Sequence, residues 1–182
     1  MKTDLTKAVI LPSGVEAKRE GTLLHISGPQ GMISRNFFHP RVGMQIEQGK
    51  IVLQVKKATK REKRVLSTFT SHVRNMVQGA QERYVYTLKI CSGHFPMSVA
   101  VAGQEFVVKN FLGEIVPRKV MLPAGVQVKI EGTEVVVQSP DKELAGKTAA
   151  CIEHLCVIKG RDIRVFMDGI WITHKAGKSV NA

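Results

Sequence analysis

The chain has 182 residues, 43% hydrophobic and 23% charged, a balance that excludes a disordered polymer and is long enough for one ordinary core or two modest ones. Twenty-seven Lys and Arg against 15 Asp and Glu leave a formal excess of twelve positive charges, which self-repulsion opposes and a polyanion offsets; nucleic acid is the commonest such partner, with a basic protein lacking one as the plain alternative. No apolar run approaches a membrane span, MKTDLTKAV lacks the apolar centre of a secretory leader, and an anionic membrane surface would need a basic amphipathic helix or lipid signal that is not found.

In chain order, Val15 to Arg19 and Thr22 to Ser27 predict a β-hairpin around Glu20-Gly21, where glycine allows the positive φ of a tight turn. Met32 to Phe38 and Ile51 to Lys56 follow as strands. The run KKATKREKR, residues 56–64, carries six cations and one acid; it predicts a flexible connection, either a solvated loop or a phosphate contact. Val65, Leu66, Phe69, Val73, Met76 and Val77 recur at helical spacing, with Gly79 as the expected stop. A domain boundary is expected there, giving an N-terminal α+β domain over residues 1–82 and a C-terminal one over 83–182. Strands are then predicted at Tyr84 to Ile90, Ser98 to Ala102, Glu105 to Lys109 and Ile115 to Val120. A second hairpin, Val126 to Ile130 with Thr133 to Gln138, turns at Glu131-Gly132. Ser139 as N-cap and Pro140 at the first helical position predict a helix with a stripe of Leu144, Thr148, Cys151, Ile152 and Leu155, ended by Gly160. Trp171 falls in an alternating strand preceded by an Asp168-Gly169 turn.

The two hairpins are also a repeat. Leu11 to Pro29, LPSGVEAKREGTLLHISGP, aligns without a gap on Leu122 to Pro140, LPAGVQVKIEGTEVVVQSP, with nine of nineteen positions identical. Pro12 matches Pro123, Gly14 matches Gly125 and Gly21 matches Gly132, so turn residues and apolar positions repeat together. The expected architecture is α+β: two tandem domains of the same topology, each a small, mainly antiparallel sheet packed on one main helix. The two repeat segments are expected to occupy equivalent positions in it.

Catalytic chemistry needs a constellation, and none stands out. His25, His39, His72, His94, His154 and His174 are scattered; HExxH, GxSxG, Walker A and GxGxxG patterns are absent. His72 and His154, on the two helices, read as packing or hydrogen-bonding residues. Cys91, Cys151 and Cys156 are odd in number and irregular in spacing, which predicts neither a disulfide framework nor a zinc site. Cys151 and Cys156 read as small core residues in a reducing, cytoplasmic setting. No cofactor, metal or small-molecule substrate is expected.

The basic segments carry the functional reading instead. Lys159, Arg161, Arg164, Lys175 and Lys178 surround an apolar strand, where ordered elements would hold cations against phosphates. Lys109, Arg118 and Lys119 in the second domain, and Lys60 and Arg61 in the first, complete the expected RNA-contact set. Residues 1–82 hold 14 basic and 6 acidic side chains and residues 83–182 hold 13 and 9, so raw charge favours the first domain. The second is nonetheless expected to make the main contact, because its cations flank ordered elements. No aromatic pair of the kind that stacks single-stranded bases is evident, leaving recognition of shape and phosphate. An RNA-processing enzyme and a free basic interaction module are the competing readings.

LPSGVEAKREGTLLHISGPQGMISRNF at residues 11–37, TSHVRNMVQG at 70–79, HFP at 94–96, NFLGE at 110–114 and RVFMDGIWI at 164–172 together give the chain a resemblance. It resembles the universal large-ribosomal-subunit protein six family in its archaeal and eukaryotic branch. Trp171 stands where that family more usually has Tyr, His154 where Gln is common, and IKGRDIR at 158–164 where the bacterial branch has a YKGKG-type segment. The resemblance implies duplicated α+β domains and a structural, non-enzymatic role in the large subunit. It also implies binding to large-subunit ribosomal RNA near the sarcin–ricin loop, at the stalk base where translation factors dock, among neighbouring ribosomal proteins.

Overall fold

In the computed structural model, which describes residues 3–47, 49–162 and 164–180, the chain divides between Arg83 and Tyr84 into two units. The first contains β1 (Thr3–Ile10), β2 (Glu16–Glu20), β3 (Leu23–Gly28), β4 (Gly31–Asn36), β5 (Gly43–Glu47), β6 (Lys50–Ala58) and α1 (Lys60–Gln81). Its strands form two antiparallel three-stranded sheets, ordered β1-β6-β5 and β2-β3-β4. Alternation places Leu24 and Ile26 of β3 and Ile51, Leu53 and Val55 of β6 inward, where they meet Leu66, Val73 and Met76 of α1 in one core. Burial of each such side chain contributes about 1.5–3 kcal/mol.

The second unit contains β7 (Tyr84–Cys91), β8 (Ser98–Ala102), β9 (Glu105–Lys109), a 3₁₀ turn at Phe111–Gly113, β10 (Arg118–Met121), β11 (Gln127–Glu131), β12 (Glu134–Ser139), α2 (Lys142–Leu155), β13 (Gly169–Lys175) and β14 (Lys178–Ser179). Its sheets are β10-β9-β8 and β11-β12-β7-β13-β14. Leu88, Val135, Val137 and Ile170 line the inner face beneath Ala145, Ala149 and Ile152 of α2, with Phe106, Val108 and Phe111 closing the core.

Taken in chain order, both units have one plan: first, sixth and fifth strands in one sheet, second, third and fourth in the other, and a helix after the sixth. The class is therefore α+β with tandem units of one topology, the small sheet of each resolved into two. The repeated segments, however, do not occupy equivalent positions. Leu11 to Pro29 builds the second and third strands of its unit, whereas Leu122 to Pro140 builds the fifth and sixth of the other. The likeness is local: each segment leaves one sheet, turns at Gly14 or Gly125, and forms a hairpin in the other sheet. Gly21 and Gly132, with φ of +61° and +60°, sit at the first central position of two-residue turns, as a type II′ turn requires. The turns are Gly21-Thr22 and Gly132-Thr133, one residue later than expected.

Other expectations are corrected by tertiary context. Residues 56–64 are not a loop: Lys56 to Ala58 end β6, Thr59 caps α1, and Lys60 to Arg64 begin the helix. Gly79 lies buried inside α1, which runs on to Gln81. At the second helix the cap is Asp141, whose Oδ1 accepts from the Glu143 N–H at 2.9 Å; Ser139 ends β12, its hydroxyl donating to the Gly125 carbonyl. The buried stripe of α2 is Ala145, Thr148, Ala149 and Ile152, so Cys151 is exposed while Cys156 is buried. His154 is exposed as well. β10 begins at Arg118 rather than Ile115, leaving Ile115 and Val116 97% and 76% exposed. β1 and β5 had no sequence expectation: each buries a single side chain, Val9 or Met44, too little for a pattern.

Candidate nucleic-acid interface

β13 enters the second unit as an added strand against β7, pairing Gly169 with Cys91 and Lys175 with Tyr86. A register shift between Ile172 and His174 marks a bulge, and beside it the Ile172 N–H donates to Glu153 Oε1 of α2 at 3.1 Å. β13 then turns at Ala176-Gly177, both with positive φ, and Lys175 pairs directly with Lys178. Both ammonium groups are exposed at this hairpin tip. Two like charges held side by side on a short strand pair are destabilising unless an anion bridges them.

Lys159, Arg161 and Arg164 lie on the connection between α2 and β13, not beside regular elements as expected. Ordering comes from side chains to which the sequence assigned no such role. Asp168, only 4% exposed, accepts at Oδ1 from the backbone N–H groups of Gly93 (2.5 Å) and His94 (2.9 Å), and at Oδ2 from His94 Nδ1 (2.6 Å). The His94 ring stacks on Phe166 at 4.5 Å, and the Arg161 guanidinium lies 4.8 Å from the Phe166 ring centre. Hydrogen bonds from His94 and Gly93 hold the Asp168 carboxyl below its usual range, although burial opposes them as the largest single influence. Trp171 completes the anchor: its indole N–H donates to the Met167 carbonyl at 3.1 Å, and the ring lies over Gly169, where an added Cβ would sit 3.3 Å from Nε1. Asp168 is thus a buried pin, not the turn residue expected. Its signal was present in the sequence, HFP and DG, but their meeting is a tertiary fact.

Other expected contact residues are differently placed. Arg164 is exposed and forms a fork with Asp162, 2.9 Å between Nη2 and Oδ2. Lys109 is exposed at the end of β9. Arg118 is engaged internally: it pairs with Glu114, donates to the carbonyls of Leu155 (2.7 Å) and Val157 (3.1 Å), and covers the Phe111 ring at 4.3 Å. Lys119 pairs with Glu105 at 3.2 Å. Lys60 and Arg61 are exposed in the first turn of α1. Lys89, outside the expected set, pairs across from Trp171, so the two share the exposed outer face of the large sheet; alternation along β7 would have placed it there. Among the described residues no three His, Cys, Asp or Glu side chains converge as a metal ion would require.

The family model for ribosomal protein L6 matches the chain twice, over residues 11–83 and 95–169. The two matches begin before the second strand of each unit and run through its helix, in agreement with the shared chain-order plan. A large ribosomal subunit protein uL6 from Nanoarchaeum equitans is 44% identical over 178 residues, covering 93% of each chain. Those of Methanocella arvoryzae and Methanosarcina mazei are 38% and 35% identical, each covering 97% of this chain and 100% of the relative.

Proposed function

Because the chain belongs to the ribosomal protein L6 family, we propose that its second unit makes the main contact with large-subunit ribosomal RNA, as a structural constituent of the cytoplasmic ribosome. The family is structural and non-enzymatic. The contact lies near the sarcin–ricin loop and the stalk base, beside the site where translation factors dock, as the resemblance carried by the five segments implies. The observation that supports it best is the run from buried Asp168 through His94 and Phe166 to Arg161, which fixes a guanidinium outside regular structure. Holding a cation against one phosphate position gives register as well as attraction. Lys159, Arg164, Lys175, Lys178 and Lys109 add exposed charge, while Arg118 and Lys119 contribute through the fold that presents it. Exposed Ile115, Val116 and Met121 give neighbouring ribosomal proteins apolar ground to cover.

Replacing Arg161, Arg164 and Lys175 together by Gln should weaken binding to large-subunit ribosomal RNA. It should also flatten the salt dependence, by about 0.7–0.9 in log–log slope for each phosphate no longer neutralised. A triple variant with the parent's affinity and slope would remove the second unit from the interface.

A further inference from the structure

The first unit carries a second cationic surface, and the way the backbone exposes it points to a purpose. Along β6 the pairing with β1 sets Leu5 against Val55 but Thr3 against Ala58, so three steps on β6 oppose two on β1. This bulge turns both Lys56 and Lys57 outward while Val55 and Ala58 remain buried. Simple alternation would send one of the two lysines into the core. Lys57 takes a left-handed φ of +50°, held by Asp4 Oδ1 accepting its backbone N–H at 2.7 Å.

The helix begins three residues later with Lys60, Arg61, Lys63 and Arg64, all exposed. The one acid of the segment, Glu62, is withdrawn from the surface. Its Oε2 accepts from the Thr59 N–H at 2.9 Å and from the Thr59 hydroxyl, and its Oε1 meets Arg41 Nη1 at 3.0 Å. Lys56, Lys57, Lys60, Arg61, Lys63 and Arg64 have no carboxylate partner among the described residues. Lys7, donating to Ser67 Oγ at 3.0 Å, extends the surface from β1.

On its own this arrangement is unfavourable. Lys60 and Arg64 are like charges four residues apart, Lys60–Lys63 and Arg61–Arg64 three apart, and all stand at the helix end where the backbone dipole repels cations. A polyanion reverses each of these effects. The partner's class follows from what the surface lacks: Lys60, Lys63, Arg64, Ser67 and Thr68 line its groove, and none of the large exposed hydrophobic side chains lies between residues 56 and 68. A protein partner would require an apolar centre, whereas phosphates require only charge and hydroxyl donors. A-form RNA has no major groove open to a helix, so a helix end presenting cations meets its backbone.

We infer that Lys57, Lys60, Arg61, Lys63 and Arg64 form a second RNA-backbone contact in the first unit, so that the chain holds ribosomal RNA at two separate places. The inference rests on the RNA-binding reading of the chain but on none of the second unit's residues.

The test uses the full chain and protein-free large-subunit ribosomal RNA, with affinity measured across salt concentrations and backbone protection mapped by hydroxyl radicals. A Lys57→Gln, Lys60→Gln, Arg61→Gln, Arg64→Gln variant keeps Thr59 and Glu62. It should melt no lower than the parent, since repulsion is relieved, yet bind about 3–10-fold more weakly with a flatter salt slope. One set of protections should vanish, while the set that depends on Arg161, Arg164 and Lys175 persists. A Lys57→Arg, Lys60→Arg, Lys63→Arg variant should bind as the parent does. Unchanged affinity, slope and protections in the Gln variant would reduce the surface to a solvated one. Normal RNA binding with poor incorporation into protein-depleted subunits would assign it to an acidic protein neighbour instead. If the second-unit variant binds normally and only the first-unit variant fails, this contact stands and the main-contact assignment falls; a parent chain that binds no RNA overturns both.

Discussion

Gly28 and Gly21 lie in one repeat segment and are glycines for different reasons. At Gly28 a Cβ would sit 2.6 Å from the Ala80 carbonyl oxygen and 2.9 Å from the Ala80 Cβ, because the Pro29-Gln30 turn docks on the end of α1 and the Gln30 N–H donates to Ala80 O at 3.1 Å. Gly28→Ala must therefore move backbone, at a cost of about 1–3 kcal/mol in a urea titration. At Gly21 nothing stands within 4 Å, and only φ of +61° resists a side chain; Gly21→Ala should cost roughly 1–2 kcal/mol and Gly21→Asn less, because Asn tolerates that region. Equal losses for Ala and Asn at Gly21 would show that something other than backbone conformation holds the turn. Glu62 adds a pH dependence. Hydrogen bonds from Thr59, assisted by Arg41, lower its carboxyl from 4.5 to about 2. A depressed folded-state value means the contribution is complete above about pH 4.5 and is lost as pH falls toward 2. Acid titration of Glu62→Gln should show a shallower fall than the parent over that window, and parallel curves would contradict the capping role.

At the scale of the element, the connection after α2 shows how one side chain can set a helix end. Cys156 N–H already bonds back to Glu153 and His154 carbonyls, and Arg118 takes the carbonyls of Leu155 and Val157 from outside. Positive charge at a helix C-terminus also complements the dipole. Arg118→Lys keeps the charge but loses the fork, and should lower stability by about 1–2 kcal/mol, partial exposure reducing the full value of charged hydrogen bonds. Thermal melting checks this: a Lys variant as stable as the parent would mean charge alone suffices. Sequence pattern was a good guide to α1, whose Leu66, Val73, Met76 and Val77 are all buried. It misjudged the start of that helix, because a run rich in cations reads as loop when the cap, Thr59 with Glu62, is hidden within it. In α2 the expected stripe held at Thr148 and Ile152 and failed at exposed Cys151, while small Ala145 and Ala149, which the pattern passed over, also face the sheet; the helix lies close enough that a Cβ at Gly146 would stand 3.1 Å from the Tyr86 hydroxyl.

For the whole molecule, the two cores share no residue, Leu24 belonging to one and Leu88 to the other, each fully buried. Leu24→Ala should destabilise the first unit by about 2–5 kcal/mol and Leu88→Ala the second. Amide exchange should then accelerate in β3 and β6 for the first variant and in β7 and β12 for the second. Uniform acceleration throughout the chain in either variant would mean that the units open as one. Composition, turn glycines and apolar alternation, acting over a few residues, were enough to point to a polyanionic partner, the α+β class and most strands; the duplicated plan is present, but the segments on which the repeat rested it do not correspond. The repeat also misdirected, because a hairpin motif specifies local geometry and not its place among six strands. Which sheet receives it depends on pairings between residues far apart, such as Val9 with Ile51 or Val137 with Tyr86. The proposed contact surfaces belong to the same category. Asp168 meets His94 across 74 positions, and Lys56 and Lys57 face outward only because β1 pairs with β6 through a bulge. Local preferences act within a few residues, whereas these juxtapositions exist only once the chain has closed on itself, so tertiary structure alone decided them.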